Sequence, residues 1–377
     1  MNYRIPDYSG GSLLNLTAEI ELRLTGSAQA AGLHSHLADQ IPPADTYVLL
    51  LFDGLGDHQL GHPAAASLRA ARTASLDAVF PTTTSVNLAT VVTGLAPAAH
   101  GLIAHQLYLP AVDRVVNTLK WTTPWGDPVA IDHPTFLPAP NLSERLRAAG
   151  IESITVQPGN FEDSPLSRVL YRGSRYEAAW TVGEIVEATV QLAGVGGRFI
   201  FTYFPNVDVT AHVNGQGSAE YADALSTAAA IWDGIAALLP ANAVMLGTAD
   251  HGHIDYAEQD KVLLPHQPGP EFYGDPRAVL LRRVDEELTA SLSGLPGRVI
   301  ETSEYRAWLG PGPDHPDLAG RLPETVLLAD PGRLLIPRFM DRRLTGYHGG
   351  LAEAELRIPL LLAGGSEAQE PGKRNRK

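Results

Sequence analysis

The sequence contains no cysteine among its 377 residues. This absence excludes disulfides, thiolate metal sites and a cysteine nucleophile. Positive charge is also scarce, since 28 Lys and Arg stand against 42 Asp and Glu and give a formal net charge of −14. Such a chain has no broad basic surface for a nucleic-acid duplex. A phosphate-bearing partner must be held locally, as a small phosphate-ester substrate would be.

Long apolar runs and a targeting signal are missing as well. No apolar run approaches the ~20 residues that are needed to span a bilayer. The N-terminus, MNYRIPDYSGGSLLNL, lacks the basic start and apolar stretch of a signal peptide. We therefore predict a cytoplasmic protein without a membrane span, and the sequence leaves its oligomeric state open.

Three segments combine an apolar, strand-like run with acidic and imidazole side chains. The segments LLLFDG, YFPNVDVTAH and VMLGTADHG contribute Asp53, Asp208, His212, Asp250 and His251. A single Asp-Gly after a strand is typical of a turn. Strands of an α/β protein, however, deliver functional residues at their carboxyl ends, so the repetition predicts one shared site. With His348 in the later YHGG, three carboxylates and three imidazoles suit zinc, manganese or iron and a paired-metal hydrolase.

The order of the remaining segments predicts the fold. Apolar strand patterns alternate with helical patterns, which predicts an α/β fold with a doubly wound, mainly parallel sheet and helices on both faces. Residues 105–140 alternate in the manner of a hairpin. We assign 1–255 and 340–377 to the metal-binding core. Residues 256–339 lie between the candidate ligands His251 and His348 in the sequence, and we assign them to a smaller α+β cap insert over the site.

A hydroxyl-rich segment, PTTTSVN, offers a nucleophile. Thr82, Thr83 and Thr84 are consecutive, and a helical pattern begins near Ser85. The free N–H groups and dipole of a helix start favour a phosphate beside Thr84, and a bound metal would activate its hydroxyl. Threonine is also a common helix N-cap, so Thr84 has a structural alternative.

The ordered motifs resemble the alkaline phosphatase superfamily, in particular its type I phosphodiesterase/nucleotide pyrophosphatase branch. The matching segments are LLLFDG, FPTTTSVNLATVVTGLAPAAHG, YFPNVDVTAH, GTADHG and GYHGG with RIPLLLAGG. The resemblance implies two metal ions, commonly zinc. It implies that one ion is held by Asp208, His212 and His348, and the other by Asp53, Asp250, His251 and the hydroxyl of Thr84. It also matches Asn87 to an asparagine that holds a phosphate oxygen, although Ser85-Val86 and Leu88-Ala89 depart from that branch.

This resemblance implies a metal-dependent phosphohydrolase that cleaves phosphodiester or nucleotide pyrophosphate bonds through a covalent phospho-threonine on Thr84. The alternatives are a phosphomonoesterase or phosphonate hydrolase of the same fold, or a non-catalytic relative that binds metal or phosphate. Monoesterases of the superfamily normally hold the phosphate with an arginine or a further metal. No arginine lies near the motifs, which favours diesters, although the cap could supply Arg277 or Arg282.

Two further groups of residues have weaker signals. We expect Arg277, Tyr273 and Phe272 of the cap to shape the substrate pocket. The insert lies between two ligands of the same site in the sequence, so its edge should lie near the metals. His253 follows the Asp250-His251 pair and could orient a ligand, while His105 could line the pocket mouth.

Overall fold

The computed structural model describes residues 3–264, 271–284, 286–292 and 294–364. The helices, α1 to α14 in chain order, are Leu13–Thr25, Ser35–Ala38, Ala66–Ala71, Thr84–Thr93, Pro97–His100, Leu142–Ala148, Pro165–Leu170, Val182–Ala193, Asn206–Asn214, Ala219–Leu238, Glu286–Leu292, Thr302–Trp308, Leu318–Arg321 and Glu353–Leu356. None of these described helices combines the length and the apolar character needed to cross a bilayer.

The strands form one large sheet, a second sheet and two short pairs. In chain order, β1 to β17 are Thr46–Phe52, Arg72–Asp77, Gln106–Leu109, Arg114–Asn117, Glu152–Gln157, Arg175–Ala178, Arg198–Phe204, Ala243–Thr248, Ile254–Asp255, Lys261–Leu263, Glu271–Asp275, Ala278–Arg282, Gly297–Ile300, Thr325–Ala329, Leu334–Ile336, Gly346–Tyr347 and Arg357–Gly364.

The large sheet has seven strands in the order β2-β17-β8-β1-β7-β5-β6. Strands β8, β1, β7, β5 and β6 run parallel to one another, and β17 runs antiparallel to both β2 and β8. Every residue of β1 is buried, as its unbroken apolar sequence predicts for a central parallel strand. Helix α8 packs on β1, β5 and β7 and is backed by α10, while α1, α4 and α6 pack together as a second helical group. The predicted doubly wound α/β class is confirmed.

The second sheet is antiparallel and has the order β13-β14-β12-β11-β3-β4. Its first four strands come from the predicted insert. The hairpin β3–β4 comes from residues 106–117 and pairs with β11 at Gly274. The cap sheet is therefore built from two distant parts of the chain, and one of them lies outside the 256–339 boundaries.

A buried ion pair joins this second sheet to the core. Arg277 is fully buried, and its Nε lies 3.2 Å from Glu355 Oε1. Its Nη1 donates to the carbonyl oxygen of Asp330 at 3.1 Å. A buried charge is tolerated only when it is paired in this way, so Arg277 fastens the cap and does not face a substrate. The expectation that Arg277 shapes the pocket is wrong.

Candidate active site

The candidate ligands meet at one edge of the large sheet because β8, β1 and β7 are adjacent and parallel. Asp53 follows the last residue of β1, and its N–H donates to the carbonyl of Phe204 at the end of β7. Asp250 and His251 follow β8. Helix α9 begins two residues after β7 and carries the remaining pair, Asp208 and His212, four residues apart on one side.

His348 reaches the same place from outside the large sheet. It follows β16, which pairs with β9 just after the Asp250-His251 corner. Its Nδ1 donates to the carbonyl of Thr82 at 2.7 Å, and the Thr82 hydroxyl donates to the carbonyl of Gly350 at 2.9 Å. Thr82 thus fixes the loop that carries His348, which agrees with a structural role for this threonine.

The first group of ligand atoms has an arrangement that calls for a cation. His212 Nδ1 donates to the carbonyl of Gly346 at 2.7 Å, just as His348 Nδ1 donates to Thr82. Both rings therefore present bare Nε2 lone pairs, and these two atoms lie only 3.1 Å apart. His212 Nε2 is also 3.4 Å from Asp208 Oδ1. Two facing lone pairs beside a carboxylate repel each other less when a metal ion lies between them.

The second group lies beside the first and is more deeply buried. His251 Nε2 is 3.5 Å from Asp53 Oδ1 and 3.4 Å from Asp250 Oδ2. Among the described residues, these two carboxylate oxygens are buried and have no hydrogen-bond partner. The other oxygen of Asp53 accepts a hydrogen bond from the Tyr203 hydroxyl. Unpartnered carboxylate oxygens with an imidazole nitrogen form a donor set that fits zinc or a similar divalent ion.

The pKa values reflect the crowding of charge in a buried place. Burial raises the pKa of Asp53 well above its usual value, and the Asp250 and Asp208 carboxylates raise it further. Burial also raises the pKa of Asp250. Burial would raise the pKa of Asp208 too, but the imidazoles of His212, His253 and His348 lower it well below its usual value. Opposed shifts of this kind among buried groups are typical of functional sites.

Thr84 lies beside the second group and lines the same cavity as the first group. It is the first residue of α4 and is 8% exposed, and its Oγ1 is 3.2 Å from His251 Nε2. The residue at the N-cap position is Thr83. Thr84 is therefore not the N-cap residue, and its hydroxyl lies beside the candidate ligands.

The structure does not place Asn87 in this site. Its side chain is fully buried. The side-chain oxygen accepts from the N–H of Val79 at 2.8 Å, and the side-chain nitrogen donates to carbonyls of the same loop, those of Val79, Pro81 and Thr83. An amide engaged in this way holds the Thr82–Thr84 loop in shape. The assignment of Asn87 to a phosphate contact is therefore corrected to a supporting role.

A cavity of about 400 Å³ opens above the ligands. Its floor includes Thr83, Thr84, Asp208, His212 and His348. Its walls come from the β3–β4 hairpin, the following loop, the connection between β11 and β12, and β16 with the segment before it. The wall residues are His105, Gln106, Asn117, Leu119, Lys120, Pro124, Asp275, Pro276, Phe339, Met340, Asp341, Leu344 and Tyr347. His105 thus lines the cavity, as its position in the sequence suggested.

The residues expected to shape the pocket from the cap do not do so. Tyr273 is fully buried in the second sheet, and Phe272 packs against its small apolar core. Arg282 stacks over the Tyr108 ring, 3.8 Å from its centroid. The cation that does line the cavity is Lys120, which sequence reasoning missed because it lies in a loop without a motif.

Asp275 is an unusual wall residue because it is a buried carboxyl group. It is 4% exposed and occupies the turn between β11 and β12, beside the N–H of His105. Burial raises the pKa of this carboxyl to about 7. Gly349 must be glycine at this point, since a Cβ there would lie 2.6 Å from Asp275 Cβ and the Gly349 φ is +117°.

Comparison with known proteins shows the family to which this chain belongs. The type I phosphodiesterase/nucleotide pyrophosphatase family matches residues 47–336, well over half of the chain. This chain belongs to that family. Comparison of the sequence with curated proteins gave no significant match.

Solved structures show the same fold at low identity. Murine ectonucleotide pyrophosphatase/phosphodiesterase 5 superposes with a TM-score of 0.65 at 19% identity, over 84% of this chain and 88% of that one. Its human counterpart superposes with a TM-score of 0.65 at 18% identity, over 84% of this chain and 87% of that one. Phosphonoacetate hydrolase from Sinorhizobium meliloti, in complex with phosphonoacetate, superposes with a TM-score of 0.60 at 17% identity, over 88% of this chain and 93% of that one. The family and these folds together support a metal-dependent phosphoester hydrolase of the alkaline phosphatase superfamily.

Proposed function

We propose that this protein hydrolyses phosphodiester or nucleotide pyrophosphate bonds with two divalent metal ions and Thr84 as the nucleophile. The observation that carries the proposal is the position of the Thr84 hydroxyl, 3.2 Å from His251 Nε2 at the floor of the cavity. The hydroxyl contacts His251 of the second group, and Thr84 lines the cavity together with the first group. One solved relative is described as an inactive threonine-to-alanine variant in complex with AMP, which supports a threonine in this role.

Each ligand group would hold one ion. Asp208, His212 and His348 form the first group, and Asp53, Asp250, His251 and the Thr84 oxygen form the second. When bound, such ions stabilise negative charge on phosphoryl oxygens and lower the pKa of a nearby hydroxyl. Zinc fits the nitrogen and oxygen donors, and manganese or iron would fit the same set.

The residues of this chain orient the ligands and supply the nucleophile. The backbone carbonyls of Gly346 and Thr82 fix the His212 and His348 tautomers, and Tyr203 holds Asp53 in place. Thr84 Oγ1 would form a bond to phosphorus as the bond to the leaving oxygen breaks, and the proton released from the hydroxyl would be balanced by the proton that the leaving oxygen takes up. Water then attacks the phospho-threonine, which releases the product and restores the hydroxyl.

Metal analysis and a substrate panel test the proposal together. The purified protein should hold close to two equivalents of transition metal and should hydrolyse bis-p-nitrophenyl phosphate or a dinucleoside pyrophosphate. Full activity in excess chelator, with no bound metal, would contradict it. Bound metal without hydrolysis of any panel member would instead support the non-catalytic alternative.

A second candidate function is favoured by one observation. Lys120 lines the cavity, and a cation there suits a substrate with two negative charges better than it suits a diester with one. This favours phosphonates or monoesters. Comparing a diester with p-nitrophenyl phosphate and phosphonoacetate on the same preparation separates the two candidates, since kcat/KM ranks them directly.

A further inference from the structure

The candidate centre contains a fourth imidazole, that of His253, in addition to the three assigned as ligands. Its Nε2 lies 2.5 Å from Asp208 Oδ1, closer than any other imidazole nitrogen of the cluster. Asp208, His212, His253 and His348 each offer a donor atom, and these atoms all lie within 4.8 Å of one another. By proximity alone, His253 is a candidate for the same ion.

The second ring nitrogen distinguishes His253 from the others. In His212, His348 and His251 the Nδ1 atom faces a backbone carbonyl oxygen, at 2.7, 2.7 and 3.2 Å. Those three rings carry the proton on Nδ1 and present a bare Nε2, which is the form that binds metal. In His253 the buried Nδ1 has no hydrogen-bond partner among the described residues.

The reason lies in the packing around the ring. His253 is 1% exposed and is held between Gly54 and Gly346, where a Cβ would lie 3.0 Å from its Cδ2 and 2.9 Å from its Nδ1. The carbonyl of Gly346, on the Nδ1 side, already accepts the proton of His212. The ring is thus fixed in place with no acceptor for an Nδ1 proton.

This environment decides the tautomer of His253. A proton on Nδ1 would leave a buried N–H unpaired and would set the Nε2 lone pair against a carboxylate oxygen. A proton on Nε2 instead forms a short, charge-assisted hydrogen bond and leaves only a lone pair without a partner. Of the two neutral tautomers, the second is the one that turns the 2.5 Å contact with the carboxylate into a hydrogen bond.

We propose that His253 is a positioning residue of this centre: its Nε2–H donates to Asp208 Oδ1 and holds that carboxylate toward the metal, and His253 itself is not a ligand. The inference rests on the proposed metal function. The backbone of His253 is held for the same purpose, since its carbonyl accepts from Gln59 Nε2 at 2.9 Å and from Gln216 Nε2 at 3.2 Å.

Two amide substitutions show whether His253 acts as a hydrogen-bond donor to Asp208 or as a metal ligand. The amide nitrogen of glutamine lies where Nε2 of histidine lies, so His253→Gln keeps the donor to Asp208 but is a poor zinc ligand. His253→Asn is too short to reach. Removal of such a supporting partner typically weakens metal binding by about 10- to 100-fold. We therefore expect His253→Asn and His253→Ala to weaken the binding of one ion by that factor, and His253→Gln to stay within about threefold of wild type.

Competition with a chromophoric chelator measures the two affinities, and the absorption spectrum of the cobalt-substituted protein reports the number of ligands. The His253→Gln spectrum should match that of wild type in band position and intensity. His100 is a buried histidine that bonds to Thr90 away from the cluster, so His100→Gln is the matched control and should leave both affinities unchanged.

Several results would overturn the inference. Loss of the ion in His253→Gln, or a cobalt spectrum that changes as much as in His253→Ala, would make His253 a ligand. Unchanged affinity in all three variants would remove any role for it. Should His253→Ala fail to fold, the comparison of Gln with Asn still decides. A wild-type protein that binds no metal would overturn the proposed function itself, and this inference with it.

Discussion

The floor and the walls of the cavity are built in different ways. Most of the candidate ligands in and beneath the floor follow three adjacent strands of the large sheet, and Asp53, Asp250 and His251, beneath it, are almost completely buried. The walls come from a hairpin, a loop and the segment before β16, where Lys120 is exposed and Trp125 is 70% exposed in edge contact with Phe339.

This difference separates chemistry from selection of substrate. The floor is held by backbone hydrogen bonds that leave the candidate ligands little freedom, which suits groups that must keep a fixed geometry. Residues on exposed loops have fewer constraints and change with less effect on the fold. We therefore expect changes in the floor to abolish turnover and changes in the walls to alter which compound is turned over.

The largest expected effect is at Thr84. Thr84→Ala should keep both metals and lower kcat by ~10³ or more, because it removes the nucleophile. Thr84→Ser should retain measurable activity, since the hydroxyl remains. Steady-state kinetics and elemental analysis on the same samples check this. Thr83→Ala, next to it at the N-cap position, is the matched control and should cost far less. Full activity in Thr84→Ala would contradict the assignment.

A change in the metal ligands should act on one ion first. Asp208→Ala removes a carboxylate from the group that includes His212 and His348, so bound metal should fall from about two equivalents toward about one. His348→Ala should behave in the same way. Simultaneous loss of both ions at low chelator in each variant would show that the two groups do not act as separate sites.

Asp275 tests the division between floor and walls, because it is a wall residue buried like a floor residue. Its pKa is raised to about 7, so the folded protein binds this proton more tightly than the unfolded chain does. Ionisation of this buried carboxyl therefore lowers the free energy of unfolding. The loss is absent below the unfolded pKa of about 3.9, grows as pH rises and is complete above about 7. Asp275→Asn should thus add about 2–4 kcal/mol to the free energy of unfolding at pH 8 and almost nothing at pH 4.

Chemical denaturation of the metal-free proteins across this pH range measures the effect, since the groups common to both variants cancel in the difference. Asp45 has an exposed side chain, and Asp45→Asn is the matched control. A stability difference for Asp275→Asn that stays constant with pH would contradict the burial of a proton-binding carboxyl group.

The smallest expected effect is at Lys120. Lys120→Ala should lower kcat/KM for phosphonates and monoesters by up to about fivefold relative to diesters, because an exposed cation contributes at most about 1 kcal/mol. Lys120→Arg should preserve the ranking. An equal loss for every substrate would mean that Lys120 supports the loop and does not contact the substrate.

The sequence predicted the floor far better than the walls. β1, β7 and β8 have mainly apolar runs that are followed within four residues by an aspartate, so their strand ends could be recognised and placed together. The strand β2 covers Arg72–Asp77 and not the apolar AVF that follows, because an edge strand with exposed polar residues lacks the buried pattern.

Other features depend on tertiary contacts that no local pattern encodes. The edge strand β6 has no buried residue and was not predicted. The hairpin β3–β4 was predicted, but its addition to the cap sheet was not, because strand pairing across more than 150 residues leaves no local trace. Asn87 was assigned to the site by its position after Thr84, whereas the folded loop turns its amide inward.

The stereochemical course at phosphorus tests the central claim, the covalent phospho-threonine on Thr84, most directly. A diester or phosphorothioate substrate that is chiral at phosphorus can be hydrolysed in isotopically labelled water, and the configuration of the product then determined. Attack by Thr84 followed by attack of water makes two in-line displacements, so our account predicts net retention. Net inversion would show a single displacement by water and would contradict the account.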